Sequence, residues 1–189
     1  VYCARFGRGE NSMKQHIHHT GCGCMPALSR RGVLGFSLAG AAMAAFPALA
    51  AGGSYEAMLV NCIDPRYTTS SQAYMAGRDL KDKFSHFVIA GGPVAVTADA
   101  FKDWRSTFWD NLAITVKLHS IKRVVGIVHR DCGAAQLAYG DRMVDDFSFE
   151  TDKLSEALRA FRAELNKRYP KLGVDTGIMG LDGAVTVVS

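Results

Sequence analysis

The sequence predicts an α/β fold: a mostly parallel central sheet flanked by helices, closed by a C-terminal strand hairpin. Three observations carry this. Short apolar runs alternate with segments of helical periodicity. Residues 123–128 (Arg-Val-Val-Gly-Ile-Val) are apolar almost without interruption, as a strand covered on both faces requires. Asp182-Gly183 separates two apolar segments, a hairpin signature.

Taken in order, Met58-Leu59-Val60 reads as a buried strand ending near Cys62. Residues 86–90 form a second strand, stopped by Gly91-Gly92-Pro93. Residues 99–119 place Trp104, Phe108, Leu112, Thr115 and Val116 at helical spacing. Residues 123–128 are the third strand and 133–139 a short helix. Residues 149–169 form a longer helix with Leu154, Leu158, Phe161 and Leu165 on one face, ended by Pro170 and Gly173. Residues 178–181 and 185–188 flank the hairpin turn. Strands joined by helices imply parallel pairing with right-handed crossovers, and such sheets carry their chemistry at the carboxyl ends of the strands.

The 189 residues are 48% hydrophobic and 21% charged, which excludes wholesale disorder, collagen and a dense disulfide scaffold. Of 22 basic and 18 acidic residues, five and one lie within residues 1–50, leaving 17 of each in residues 51–189. A folded part without basic surplus sets nucleic-acid binding aside.

Residues 1–50 read as an address. Ser29-Arg30-Arg31 precedes an uncharged apolar run over residues 33–46, too short to span a bilayer, which takes roughly 20 residues. Pro47-Ala48-Leu49-Ala50 then supplies an Ala-x-Ala end. A charged start, an apolar middle and a small-residue end make a secretory signal. A surface helix carrying two chance arginines is the alternative. The paired arginines resemble the twin-arginine export signal, which implies a periplasmic or otherwise exported protein with no membrane anchor after cleavage, expected after Ala50. Residues 1–12 fit an over-extended start ahead of Met13. His16, His18, His19, Cys22 and Cys24 form a short tract able to bind metal, inside the segment expected to be removed. Residues 51–189 then form the mature single domain.

Two motifs stand at two of the expected strand ends: Cys62-Ile63-Asp64-Pro65-Arg66 and His129-Arg130-Asp131-Cys132-Gly133. Of five cysteines, only Cys62 and Cys132 fall after residue 50, one in each motif. Two Cys and one His suit zinc, and three protein ligands leave a tetrahedral position open, as in catalytic sites. Cys132 opens a helix whose dipole favours the thiolate. Other readings stand beside this one. Two Cys of an exported protein can form a disulfide. A lone His at a strand end can be a hydrogen-bonded core residue, and Asp64 with Arg66 can be a surface ion pair.

Cys-x-Asp-x-Arg followed about 60 residues later by His-x-x-Cys-Gly resembles the β-class carbonic anhydrases. The resemblance runs from about Met58 to Val188 and includes Leu181-Asp182-Gly183-Ala184-Val185. It implies that Cys62, His129 and Cys132 bind zinc, and that Asp64 and Arg66 form the catalytic dyad beside it. The implied activity is reversible hydration of CO2 to bicarbonate by zinc-bound hydroxide. Asp64 would orient the hydroxide and Arg66 would keep Asp64 ionised. The implied assembly is a homodimer or higher homo-oligomer. Relatives of the same fold hydrolyse CS2 or COS, so that activity and a non-catalytic zinc-binding role stay open. The family's Arg-Asn-Ala-Gly-Asn stretch is replaced here by Ile89-Ala90-Gly91-Gly92-Pro93, and few residues are left for its N-terminal helical arm.

Overall fold

A computed structural model describes residues 54–189. The expected export signal over residues 1–50 and its His/Cys tract lie outside the described residues. Among the described residues no helix is long and apolar enough to cross a membrane.

Five strands form one sheet in the order β2-β1-β3-β4-β5. They are β1 (Ala57–Asn61), β2 (Phe84–Val88), β3 (Arg123–His129), β4 (Gly173–Met179) and β5 (Val185–Val187). Strands β2, β1, β3 and β4 run parallel, and β5 returns antiparallel on β4. The sheet and its closing hairpin are those the sequence predicts. The helices are α1 (Thr68–Ala76), α2 (Pro93–Thr97), α3 (Arg105–His119), α4 (Gly133–Tyr139), α5 (Arg142–Asp145) and α6 (Phe147–Arg168).

All five residues of β1 are buried, so alternate side chains serve opposite faces of the sheet. Met58 and Val60 pack with Val124, with Phe108 and Leu112 of α3, and with Phe161 and Leu165 of α6. Ala57 and Leu59 pack with Val125 and Ile127, with Met75 of α1, and with Tyr67. A third cluster closes the carboxyl ends of the strands, joining Cys62, Val128 and Cys132 to Val94, Leu154 and Leu158. Helix α6 lies close on β3 because Gly126 has no side chain; a Cβ there would be 2.7 Å from Phe161 Cε1.

Several boundaries differ from expectation. Strand β2 covers 84–88 rather than 86–90, because the chain turns at once into Ile89–Gly92, where the Gly92 N–H donates to the Ile89 carbonyl at 2.8 Å. The segment expected as one helix over 99–119 is a 3-10 turn (Asp99–Trp104) followed by α3, with a kink at Phe101. Helix α6 starts at Phe147, where the Asp146 carboxylate accepts from the Phe149 N–H at 2.9 Å and caps it. Strand β4 begins at Gly173, five residues before the expected start.

Candidate metal centre

Strand β1 ends at Asn61 and β3 at His129, and their carboxyl ends are neighbours in the sheet. Cys62 follows the first, and Cys132 is the N-cap residue of α4 just after the second. The topology therefore brings Cys62, His129 and Cys132 together: all three are buried, and their ligand atoms lie within 4.8 Å of one another. Both cysteines are free thiols, so the disulfide reading does not describe this structure.

The histidine is set for a ligand. Its Nδ1 is 2.8 Å from the Arg130 carbonyl, which only an Nδ1–H can satisfy by donating. That leaves a lone pair on Nε2, which is buried and has no hydrogen-bond partner. A buried polar atom without a partner is costly, and a cation beside two sulfurs supplies one. The Tyr67 ring stacks on the imidazole with centroids 4.0 Å apart, and its hydroxyl donates to the same Arg130 carbonyl at 2.9 Å. Burial acts to lower the pKa of His129. The Cys62 sulfur, the Arg130 carbonyl and the Asp64 carboxylate outweigh burial and raise it.

The two sulfurs perturb each other in opposite directions. The neighbouring Cys132 side chain draws the Cys62 thiol down, helped by His129 and by the Gly91 N–H, which donates to Cys62 Sγ at 3.2 Å. Cys132 is pushed up, first by the same Cys62 sulfur and then by burial. The Gly91-Gly92 loop makes its approach on positive φ angles of 81° and 54°, and a Cβ on Gly92 would be 2.9 Å from the Asn61 carbonyl carbon. This loop differs from the resembled stretch, yet it keeps a backbone donor on the sulfur.

Asp64 and Arg66 flank the cluster after β1: Asp64 caps the 3-10 turn (Pro65–Tyr67) and Arg66 lies within it. Arg66 donates to both Asp64 oxygens, from Nε at 3.1 Å to each and from Nη2 to Oδ2 at 2.7 Å. These bonds, led by the Arg66 side chain, hold the Asp64 carboxyl down to about 2, so it is ionised at any ordinary pH. Asp64 Oδ2 is 4.0 Å from His129 Nε2. Arg66 is more than half of a surface pair: its Nη1 also donates to Asp131 Oδ2 at 2.7 Å and its Nη2 to the Asp131 carbonyl at 3.0 Å. A cavity of about 300 Å³ opens beside the group, lined by Asp64, Arg66, Asp131, Cys132, Gln136 and Val144 among others.

Three contributors were not anticipated: Tyr67, Asp131 and Glu150. Asp131 and Tyr67 lie within or beside the two motifs, so proximity in sequence is a signal for both. Glu150 is 20 residues from Arg130, in the first turn of α6, where an acidic residue ordinarily reads as a partner of the helix dipole.

The site and the sheet define the class: a β-carbonic-anhydrase fold with a Cys-His-Cys group that could hold a metal ion. The fold is shared with the β-carbonic anhydrase CafA of Aspergillus fumigatus (TM-score 0.50, 15% identity, 76% of this chain and 79% of that one). It is shared equally with the Coccomyxa β-carbonic anhydrase solved in complex with acetazolamide (TM-score 0.50, 14% identity, 76% of each chain). No protein-family model matches the chain. By sequence the chain belongs to the same family as the uncharacterized protein RC0076 of Rickettsia conorii, with 31% identity over 128 residues, 68% of this chain and 69% of that protein. An uncharacterized protein of Rickettsia bellii is 29% identical over 128 residues, 68% of this chain and 78% of the relative.

Proposed function

We propose that the protein is a zinc-dependent carbonic anhydrase catalysing reversible hydration of CO2 to bicarbonate. The observation that carries this reading is the unpartnered Nε2 of buried His129, facing two thiols and the Asp64 carboxylate. Cys62, His129 and Cys132 would hold zinc, a donor set of two soft sulfurs and one imidazole that suits this metal. Bound there, zinc supplies a Lewis acid that brings the pKa of water to about 7.

The chain's own groups do the rest. Ionised Asp64 would accept a hydrogen bond from the nucleophilic water, which keeps its proton and turns its lone pair toward the cavity. Arg66 locks that carboxylate through Nε and Nη2, so Asp64 neither rotates nor protonates near neutral pH. The cavity of about 300 Å³ is ample for a triatomic substrate. Retention of the Asp64–Arg66 lock argues for catalysis over metal storage, since neither group is needed to hold zinc.

A second copy of the chain would complete the assembly. Leu137, Val144, Phe147 and Leu181 are all more than half exposed, an apolar surface suited to cover by a homodimer partner. Export by the twin-arginine route to the periplasm, with residues 51–189 as the mature domain, is part of the same proposal, and N-terminal sequencing of the secreted protein tests it.

The deciding experiment is stopped-flow CO2 hydration on protein of measured zinc content, with CS2 and COS turnover in parallel. Acetazolamide, held by the Coccomyxa enzyme, is expected to inhibit. Cys62→Ser, His129→Ala and Cys132→Ser should each lose zinc and turnover. Zinc-loaded protein that hydrates CO2 no faster than buffer would overturn the reading, and turnover of CS2 or COS alone would move it to the hydrolases.

A further inference from the structure

Glu150 is the most deeply buried carboxylate among the described residues, 5% exposed, and it touches neither the three ligand atoms nor the Asp64–Arg66 pair. Its two oxygens are both used. Oε1 accepts from the backbone N–H of Asp131 at 2.7 Å, and Oε2 accepts from Nη1 of Arg130 at 2.7 Å. Burying a carboxylate is unfavourable unless charge-assisted partners compensate it, and here both partners come from the two residues between His129 and Cys132.

Those two residues need holding. Asp131 has φ 55°, a left-handed conformation that an ordinary side chain resists, though Asp resists it less than most. From that conformation Asp131 presents its carboxylate and its carbonyl to Arg66. The Arg130 carbonyl fixes the imidazole of His129 through Nδ1. Helix α6, whose Leu154 and Leu158 share an apolar cluster with Cys62 and Cys132, adds through Glu150 a polar grip on the turn carrying two of the three candidate ligands.

We infer that Glu150 is a positioning residue for the metal centre: by holding Arg130 and the left-handed Asp131 it fixes the spacing of His129 and Cys132 and the second anchor of Arg66. The inference rests on the metal-site reading of the Cys-His-Cys group. Groups that orient ligands from behind typically control about 10–100-fold in metal affinity.

Glu150→Gln tests it. The amide has one acceptor oxygen for two donors, so one of the two contacts is lost while volume is kept. Zinc and Co(II) affinity are measured by chelator competition, together with the visible spectrum of the Co(II)-loaded protein and the unfolding midpoint of the metal-free form. Expected are metal binding about 10–100-fold weaker, a changed Co(II) spectrum, and partial recovery of affinity in Glu150→Gln/Asp131→Gly, where glycine adopts φ 55° without strain. A merely structural Glu150 would lower the midpoint and leave affinity and spectrum as in the parent, which overturns the inference. Affinity unrecovered by glycine overturns the Asp131 half of it. Glu150→Asp, one methylene shorter with its charge kept, gives the same readings if the glutamine variant does not fold. A parent protein that binds neither metal overturns the metal centre itself, whereas a parent that binds with variants unchanged overturns only the role of Glu150.

Discussion

At the scale of single residues, Asp64 and Arg66 carry the sharpest expectations. Asp64→Asn leaves the ligands intact but offers an amide that can donate where acceptance is needed. Zinc content should hold while CO2 turnover falls about 10²–10³-fold; metal analysis and stopped-flow on one sample check both. Arg66→Lys should also be impaired, since an ammonium cannot make the forked contact to Asp64 and reach Asp131 as well. Acid titration gives an independent reading. Asp64 is held down to about 2, below the ordinary carboxylate value of about 3.9. Its contribution to stability is therefore full above about pH 4 and is lost as pH falls toward about 2. Metal-free Asp64→Asn should lose less stability than the parent across that window, measured by urea unfolding at each pH.

Among the elements, β3 and α6 are the pair on which the site depends, because β3 delivers His129 and α6 delivers Glu150. Gly126→Ala places a methyl against Phe161 and should destabilise by about 1–3 kcal/mol, read from denaturant midpoints, without changing the metal stoichiometry. How far these elements are legible in sequence follows from their burial. Strand β3 is nearly all apolar and α4 begins beside a marked Cys-Gly, so both are found at or within a residue of their observed limits. Helix α1, Thr-Thr-Ser-Ser-Gln-Ala-Tyr-Met-Ala, buries only Ser71 and Met75 and has no apolar stripe to announce it. The start of β4, Gly-Val-Asp-Thr, is polar because its Asp175 receives Arg78 and its Thr176 bonds Arg162 and the Val188 carbonyl. The candidate ligands were readable as residue types in a pattern. The contacts behind them were not, since Glu150 meets Arg130 through the packing of α6 and no local spacing encodes that.

For the whole molecule, the metal is expected to act as a ligand of the folded state alone. Free metal at 1,000 times its dissociation constant adds about 4 kcal/mol to stability, so removal with a chelator should lower the thermal midpoint, and restored zinc should raise it again. Chelation also leaves the sulfurs of Cys62 and Cys132 as unbridged neighbours. Mild oxidant should then join Cys62 to Cys132 in the metal-free protein but spare the loaded one, as mass analysis after alkylation would read; equal oxidation of both forms would count against sulfur ligation. Assembly is checked by sedimentation, where an active, monodisperse monomer would contradict the dimer.

The parallel pairing of β1 with β3 has a consequence for how the protein is made. Cys62 and Cys132 are 70 positions apart in the chain, and β1 meets β3 only after the whole stretch between them has been synthesised. At about 5–20 residues per second, Cys62 leaves the ribosome roughly 4–14 seconds before Cys132. Throughout that interval Cys62 is without the other two residues of its cluster, His129 and Cys132. Non-local strand pairing is slow to form in any case. A metal at this group would thus be captured only once β1 and β3 have paired, late in the making of each new chain.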